Sequence, residues 1–264
     1  MIKTLKKEKN ILWAEIIRQY ILFKRYFVNF ISDQIAMIIL FSGIFFGAGS
    51  LGFSNQKISI KIIGIMFSFL GIAGIQYMYN MVKEENELGT MKQLFLLPTK
   101  FLNVFFVRFT VNNLFFLVKL IMITILYFFI TGLALNLSWL QVAFISFLII
   151  IGMLGFGFVF GGASFIFKRV DRLQNLFALI LFPVSLVDFT QNVIFRGVAN
   201  YIPYTLGLKI VQKVIKEDWS WIKIFSSQDF HLLLIITIIY FFLGFIIYKW
   251  FEKQAKIYGT LGKY

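Results

Sequence analysis

Cysteine is absent from the 264 residues, and histidine occurs once, at His231. The first absence excludes disulfides, cysteine-ligated zinc, iron–sulfur clusters and thiol nucleophiles together. The second argues against a histidine-built metal site or a catalytic triad. Charge is also scarce: 14% of residues are Asp, Glu, Lys or Arg, where a soluble domain has about a quarter. Acids are scarcest, with 12 Asp and Glu against 26 Lys and Arg, a net charge of +14. What fills the chain instead is apolar, 59% of residues, for a mean hydropathy of +0.83. The apolar residues come in blocks approaching or exceeding the roughly 18 residues that a bilayer span requires. The composition is that of an all-α, multi-pass membrane protein.

The spacing predicts six spans, at about 33–50, 62–82, 109–132, within 138–166, 173–195 and 230–250. Residues 8–29 are not a span, because Glu15, Arg18, Gln19, Lys24 and Arg25 interrupt them. Their charges and their apolar residues fall on different sides of a helix. This predicts an interfacial amphipathic helix, with Trp13 as a headgroup-level anchor. The basic lead-in is too long for a signal peptide, and no convincing cleavage signal follows. On this topology 18 Lys and Arg fall on the side of the two termini and seven on the other, with Lys119 left inside a span. The positive-inside rule then makes both termini cytoplasmic. The basic excess is thereby a topological signal rather than a nucleic-acid footprint. A single membrane domain over 1–264 is expected, with a short cytoplasmic helix at 84–98 and an external segment at 188–229.

The connection between spans 2 and 3 reads KEENELGTMKQLFLLPTKF, residues 83–101. Glu84, Glu85 and Glu87 stand where a helix N-terminus would favour acids. Leu88, Met91, Leu94 and Phe95 form one apolar face, and Pro98 ends the helix. Such a helix either lies on the bilayer or docks a cytoplasmic partner. Its sequence resembles the coupling-helix motif of ABC-2 type exporter permeases, roughly E-R-E-x-G-T-L-E-Q-L-L-x-x-P. Glu85, Glu87, Gly89, Thr90, Gln93, Leu94 and Pro98 match, and Met91 and Phe95 are apolar stand-ins for Leu. Asn86 replaces the usual basic residue and Lys92 a common Glu; the second swap reverses a charge that would face the partner and so tune which ATPase subunit docks. The likeness extends to the interfacial helix, to IPYTLGLKIVQ at 202–212 and to the ending KQAKIYGTLGKY, so it covers essentially the whole chain.

The resemblance implies a permease without an ATPase of its own. Two copies, or one copy with a similar chain, would pair with two separate ATPase subunits that hold ATP and Mg, and this chain would bind no cofactor. The bacterial cytoplasmic membrane would be its location, with membrane lipids around it. Glu84, Glu85, Glu87, Gly89, Thr90, Met91, Gln93, Leu94 and Pro98 would couple to the ATPase. Glu85 and Glu87 would pair with its basic residues or with the interfacial helix, where Glu15, Arg18 and Arg25 lie and Arg18 and Arg25 are the candidate partners. The cargo would be hydrophobic or amphipathic: a drug, antibiotic, lipid or hydrophobic peptide. Export of a lipid-linked polysaccharide, or a non-transporting immunity or scaffold role, are the alternatives.

Polar residues inside spans are expensive. Lys119 is the one charge well within a span, read either as a snorkelling lysine or as the lining of an aqueous vestibule. Asp33 is expected to cap span 1. Asp188, Gln191, Asn192 and Pro203 are candidates for an outer gate, since the family's corresponding region forms short re-entrant helices. No acid lies in the middle of a span, and no inverted repeat is visible, which argues against an ion-coupled carrier. Gly157 and Gly162 have phosphate-loop spacing, but Ala163 stands where the lysine is required. The glycines of span 4 are expected to let helices approach closely or to form a hinge.

Overall fold

The computed structural model describes residues 2–87, 89–90, 93, 101–133, 138–167, 170–187 and 200–258, and among them there is no strand. The described helices are α1 (Ile2–Arg25), α2 (Phe27–Ser50), α3 (Asn55–Glu87), α4 (Phe101–Thr131), α5 (Trp139–Ala163), α6 (Asp171–Ser185), α7 (Pro203–Glu217), α8 (Trp221–Ser226) and α9 (Gln228–Tyr258). Five of them, α2, α3, α4, α5 and α9, are long and apolar enough to cross a membrane. The architecture is that of an all-α multi-pass membrane protein.

Glycine sets the closest approaches. A Cβ at Gly157 of α5 would lie 2.8 Å and 2.9 Å from the carbonyl oxygens of Gly74 and Ile75 on α3, and Gly161 faces Met78. On the other flank of α5, Gly155 meets Gly244 of α9 backbone to backbone. In lipid, where no hydrophobic drive separates protein from solvent, such backbone proximity is a main source of helix association. The contacts advance in the same sense on both flanks. Gly74 lies at Met153 and Met78 at Gly161; Gly152 lies at Thr237 and Gly162 at Tyr248. Helices α3, α5 and α9 therefore run parallel, with α5 in the middle.

Since α5 and α9 run parallel, the chain must return between them. Helix α6 makes much of that return: Gly64 of α3 faces Ser185, and Gly71 faces Leu181, so α6 is antiparallel to α3. Helix α7 then starts beside the middle of α5, with Pro203 against Gly152, and climbs back towards the start of α5. There the Gln141 side-chain amide donates to the Trp219 carbonyl at 3.1 Å. Every residue of α7 from Pro203 to Gln212 is buried. Its polar residues are partnered: Gln212 donates to the Val187 carbonyl at 2.9 Å, and Lys209 and Lys213 both pair with Asp229 at 2.7 Å. Phenylalanine fills the interior as well as the lipid-facing surface. Phe158 meets Phe105, Phe106, Phe241, Phe245 and Tyr248 at centroid distances of 5.6–6.1 Å.

Several boundaries differ from expectation. The amphipathic segment 8–29 is not one helix: α1 ends at Arg25 and α2 begins at Phe27, with Tyr26 at φ −108° and ψ 31°. Neither Pro nor Gly marks this jog, so the sequence does not announce it. Asp33 consequently lies two turns inside α2 and caps nothing. The fifth predicted span, 173–195, is a 15-residue helix that ends at Ser185, shortly after Pro183, and is shorter than a bilayer crossing. Residues 188–199, with Asp188, Gln191 and Asn192, lie outside the described residues. The helix expected at 84–98 does not start at Glu84, because α3 continues through Glu87 and only then stops.

Candidate functional site

The three acids at 84, 85 and 87 close α3 instead of opening the next helix. Gly89 takes φ +69°, a conformation in which a Cβ is strained, and the Thr90 amide donates back to the Glu85 carbonyl at 3.0 Å. That is the six-to-one bond of a Schellman ending, and it explains why Gly-Thr follows the acids. The acids thus sit at the negative end of the α3 dipole, where they are disfavoured unless cations oppose them.

Arg108 of α4 supplies the opposition. Its Nη1 donates to Glu85 Oε1 at 2.8 Å, and its Nε lies 3.5 Å from Glu15 Oε2 of α1. The other Glu85 oxygen accepts from the Thr90 hydroxyl. Arg18 Nε donates to Glu15 Oε1 at 2.7 Å. Glu15 is 6% exposed, so the carboxylate is desolvated and held by its two guanidiniums. The cluster ties α1, the end of α3 and the start of α4 into one neutral assembly. One turn further along, Gln19 donates to Asn112 Oδ1 at 3.2 Å.

Of the residues expected to act together here, Glu15, Arg18, Glu85 and Thr90 meet. Arg25 does not; its guanidinium stacks 5.7 Å from the Tyr26 ring centroid. The expected internal partner of Glu85 was Arg18 or Arg25, and the structure puts Arg108 there, because α4 passes nearer to the end of α3 than α1 does. The signal that could have found it is local: a lone arginine in FFVRFTV needs an acid when its neighbours are apolar. Glu84, Gly89 and Gln93 are exposed at the same end. Met91, Leu94 and Pro98, and the side chain of Glu87, lie outside the described residues.

Lys119 neither snorkels freely nor stands alone. Its Nζ lies 3.0 Å from Asp33 Oδ2 of α2 and 4.8 Å from the Phe30 ring centroid. Pro203 occupies the first turn of α7, where its missing N–H costs nothing. Among the described residues no cluster of three or more His, Asp or Glu could hold a metal ion.

No family model, no curated protein and no solved structure matches this chain.

Proposed function

We propose that the chain is the membrane subunit of an ATP-driven exporter of the ABC-2 type, moving a hydrophobic or amphipathic molecule out of the cell. It works as a pair of copies, or with a similar chain, on two separate ATPase subunits that carry ATP and Mg. Both termini are cytoplasmic in a bacterial plasma membrane, and the chain crosses it six times. The sixth crossing is made by the α6 region, whose direction follows from the parallel run of α5 and α9.

The observation that carries the reading is the way the E-N-E-L-G-T stretch is built. The glycine stops α3, the threonine binds back to Glu85, and Arg108 joins Glu85 to the interfacial helix at Glu15. A push on the residues that follow Gly89 therefore acts on α1, α3 and α4 at once, rather than on one flexible loop. That is the mechanical requirement for passing an ATPase's closure into a helix bundle. The apolar composition of the spans, with Asp33 paired to Lys119, suits a lipophilic cargo rather than an ion.

The test is co-purification with candidate ABC ATPase subunits of the same genome, followed by ATP turnover in lipid nanodiscs. A stable complex is expected, with turnover that rises when amphiphiles are added. Replacing Gln93, which is exposed, by Arg is expected to lower amphiphile-stimulated turnover while leaving the chain folded. A complex that forms but never responds to any amphiphile would favour the scaffold or immunity role.

A further inference from the structure

The contacts between α4 and the α1–α2 pair fall in two registers. Glu15 meets Arg108 and Gln19 meets Asn112, each 93 residues apart; Asp33 meets Lys119 across 86 residues, and Phe41 meets Tyr127 at the same spacing. From Gln19 to Asp33 the first pair of helices spends 14 residues, while α4 spends seven from Asn112 to Lys119. At 1.5 Å per residue this is about 21 Å of helix facing about 10 Å. The surplus bows away from α4 at Tyr26, and under the bow lies a groove of about 710 Å³.

The groove is not simply apolar. Aromatic side chains from both sides line it, Phe23 and Tyr26 from the bow and Phe115 from α4, while Met122 is exposed beyond. The Asp33–Lys119 pair also lines it. Lys119 is held, with its side chain 19% exposed, but the Asp33 side chain is 66% exposed. Among the described residues Asp33 Oδ1 has no hydrogen-bond partner, and the ammonium uses one of its three donors on Asp33. An anion on Lys119 alone would sit against the Asp33 carboxylate, and a cation on Asp33 alone would sit against the ammonium. A ligand carrying both charges meets both groups with the right sign.

We propose that this groove binds a zwitterionic phospholipid of the surrounding bilayer: its phosphate on Lys119, its ammonium on Asp33 between aromatic faces, and an acyl chain along Phe115 and Met122. The site stands whether or not the chain is a transporter subunit. It fixes the bow by filling it, and so adjusts how tightly α1 is held against α4.

The purified full-length chain is equilibrated with equal amounts of a phosphatidylethanolamine and a phosphatidylglycerol of identical acyl chains, and retained lipid is counted by native mass spectrometry. The wild type is expected to prefer phosphatidylethanolamine by about tenfold, the low end of what a charged hydrogen bond contributes. Asp33→Asn leaves Lys119 as a lone cation and is expected to turn the preference towards phosphatidylglycerol. Lys119→Met is expected to lower retention of both. No preference in the wild type, or an unchanged ratio in Asp33→Asn, overturns the proposal. So does a second copy occupying the groove, which would appear as a disulfide-linked dimer of Met122→Cys formed in the membrane.

Discussion

Arg108 stands between two acids, so replacing it does not cost the same as replacing either partner. Glu15 keeps Arg18 if Arg108 is lost, but among the described residues Glu85 keeps only the Thr90 hydroxyl. Arg108→Leu therefore strands a carboxylate whose side chain is 14% exposed at the negative end of a helix dipole. Breaking a buried pair from one side costs about 3 kcal/mol or more, and thermal unfolding of the purified chain should fall accordingly. Adding Glu85→Gln to Arg108→Leu is expected to recover most of the loss, because the uncompensated charge goes with it. A loss that Glu85→Gln leaves untouched would mean that Arg108 acts by packing alone. At this scale the sequence was half legible: Glu15, Arg18, Glu85 and Thr90 could be picked out by charge and motif. That Arg108 meets Glu85 and Glu15, and that Asp33 meets Lys119, could not, since both pairings depend on a register between helices that no local pattern records.

Between elements, the spans were legible because a hydrocarbon slab about 30 Å thick forces long apolar runs into helices. What the runs did not reveal is where the backbone bends without Pro or Gly, as at Tyr26, or how far a helix enters beside its neighbours, as α7 does beside α5. The partners of the polar residues in α7 were unseen in the sequence: Asp229 pairs with Lys209, which is buried, and with the partly exposed Lys213. The glycines of α5 could be read either as close packing or as a hinge, and the contacts favour packing. A Cβ at Gly244 would fall on the Gly155 main chain, which has no rotamer with which to yield. Gly244→Ala must push α9 off α5, and overpacking of this kind costs about 1–3 kcal/mol. Gly43→Ala, on α2, meets nothing within 4 Å and should leave stability unchanged or slightly raised. The two variants, compared by thermal shift in one detergent, separate helix packing from helix propensity. Equal melting temperatures would show that α5 and α9 are not packed this closely.

At the level of the whole molecule, direction is what the charges and the packing constrain jointly. The start of α3 and the start of α9 share one end of the parallel set α3, α5 and α9, and the tails of all three share the other. The basic residues count 18 against seven in favour of the tail end being cytoplasmic. A five-pass chain would satisfy the helix lengths but not the parallel run, since α9 would then have to oppose α5. The lack of native cysteine makes the distinction clean, because each introduced thiol is the only one present. Ser54→Cys and Ser226→Cys, both at exposed positions, are expected to react with a membrane-impermeant maleimide in intact cells. Glu84→Cys and Lys253→Cys, exposed at the opposite end, should react only after permeabilisation. Labelling of Lys253→Cys from outside, with Ser54→Cys still reactive, would place α9 antiparallel to α3 and overturn the six-pass arrangement. A complete inversion of the four results would keep the bundle and reverse its orientation, against a basic excess that anionic inner-leaflet lipid also favours.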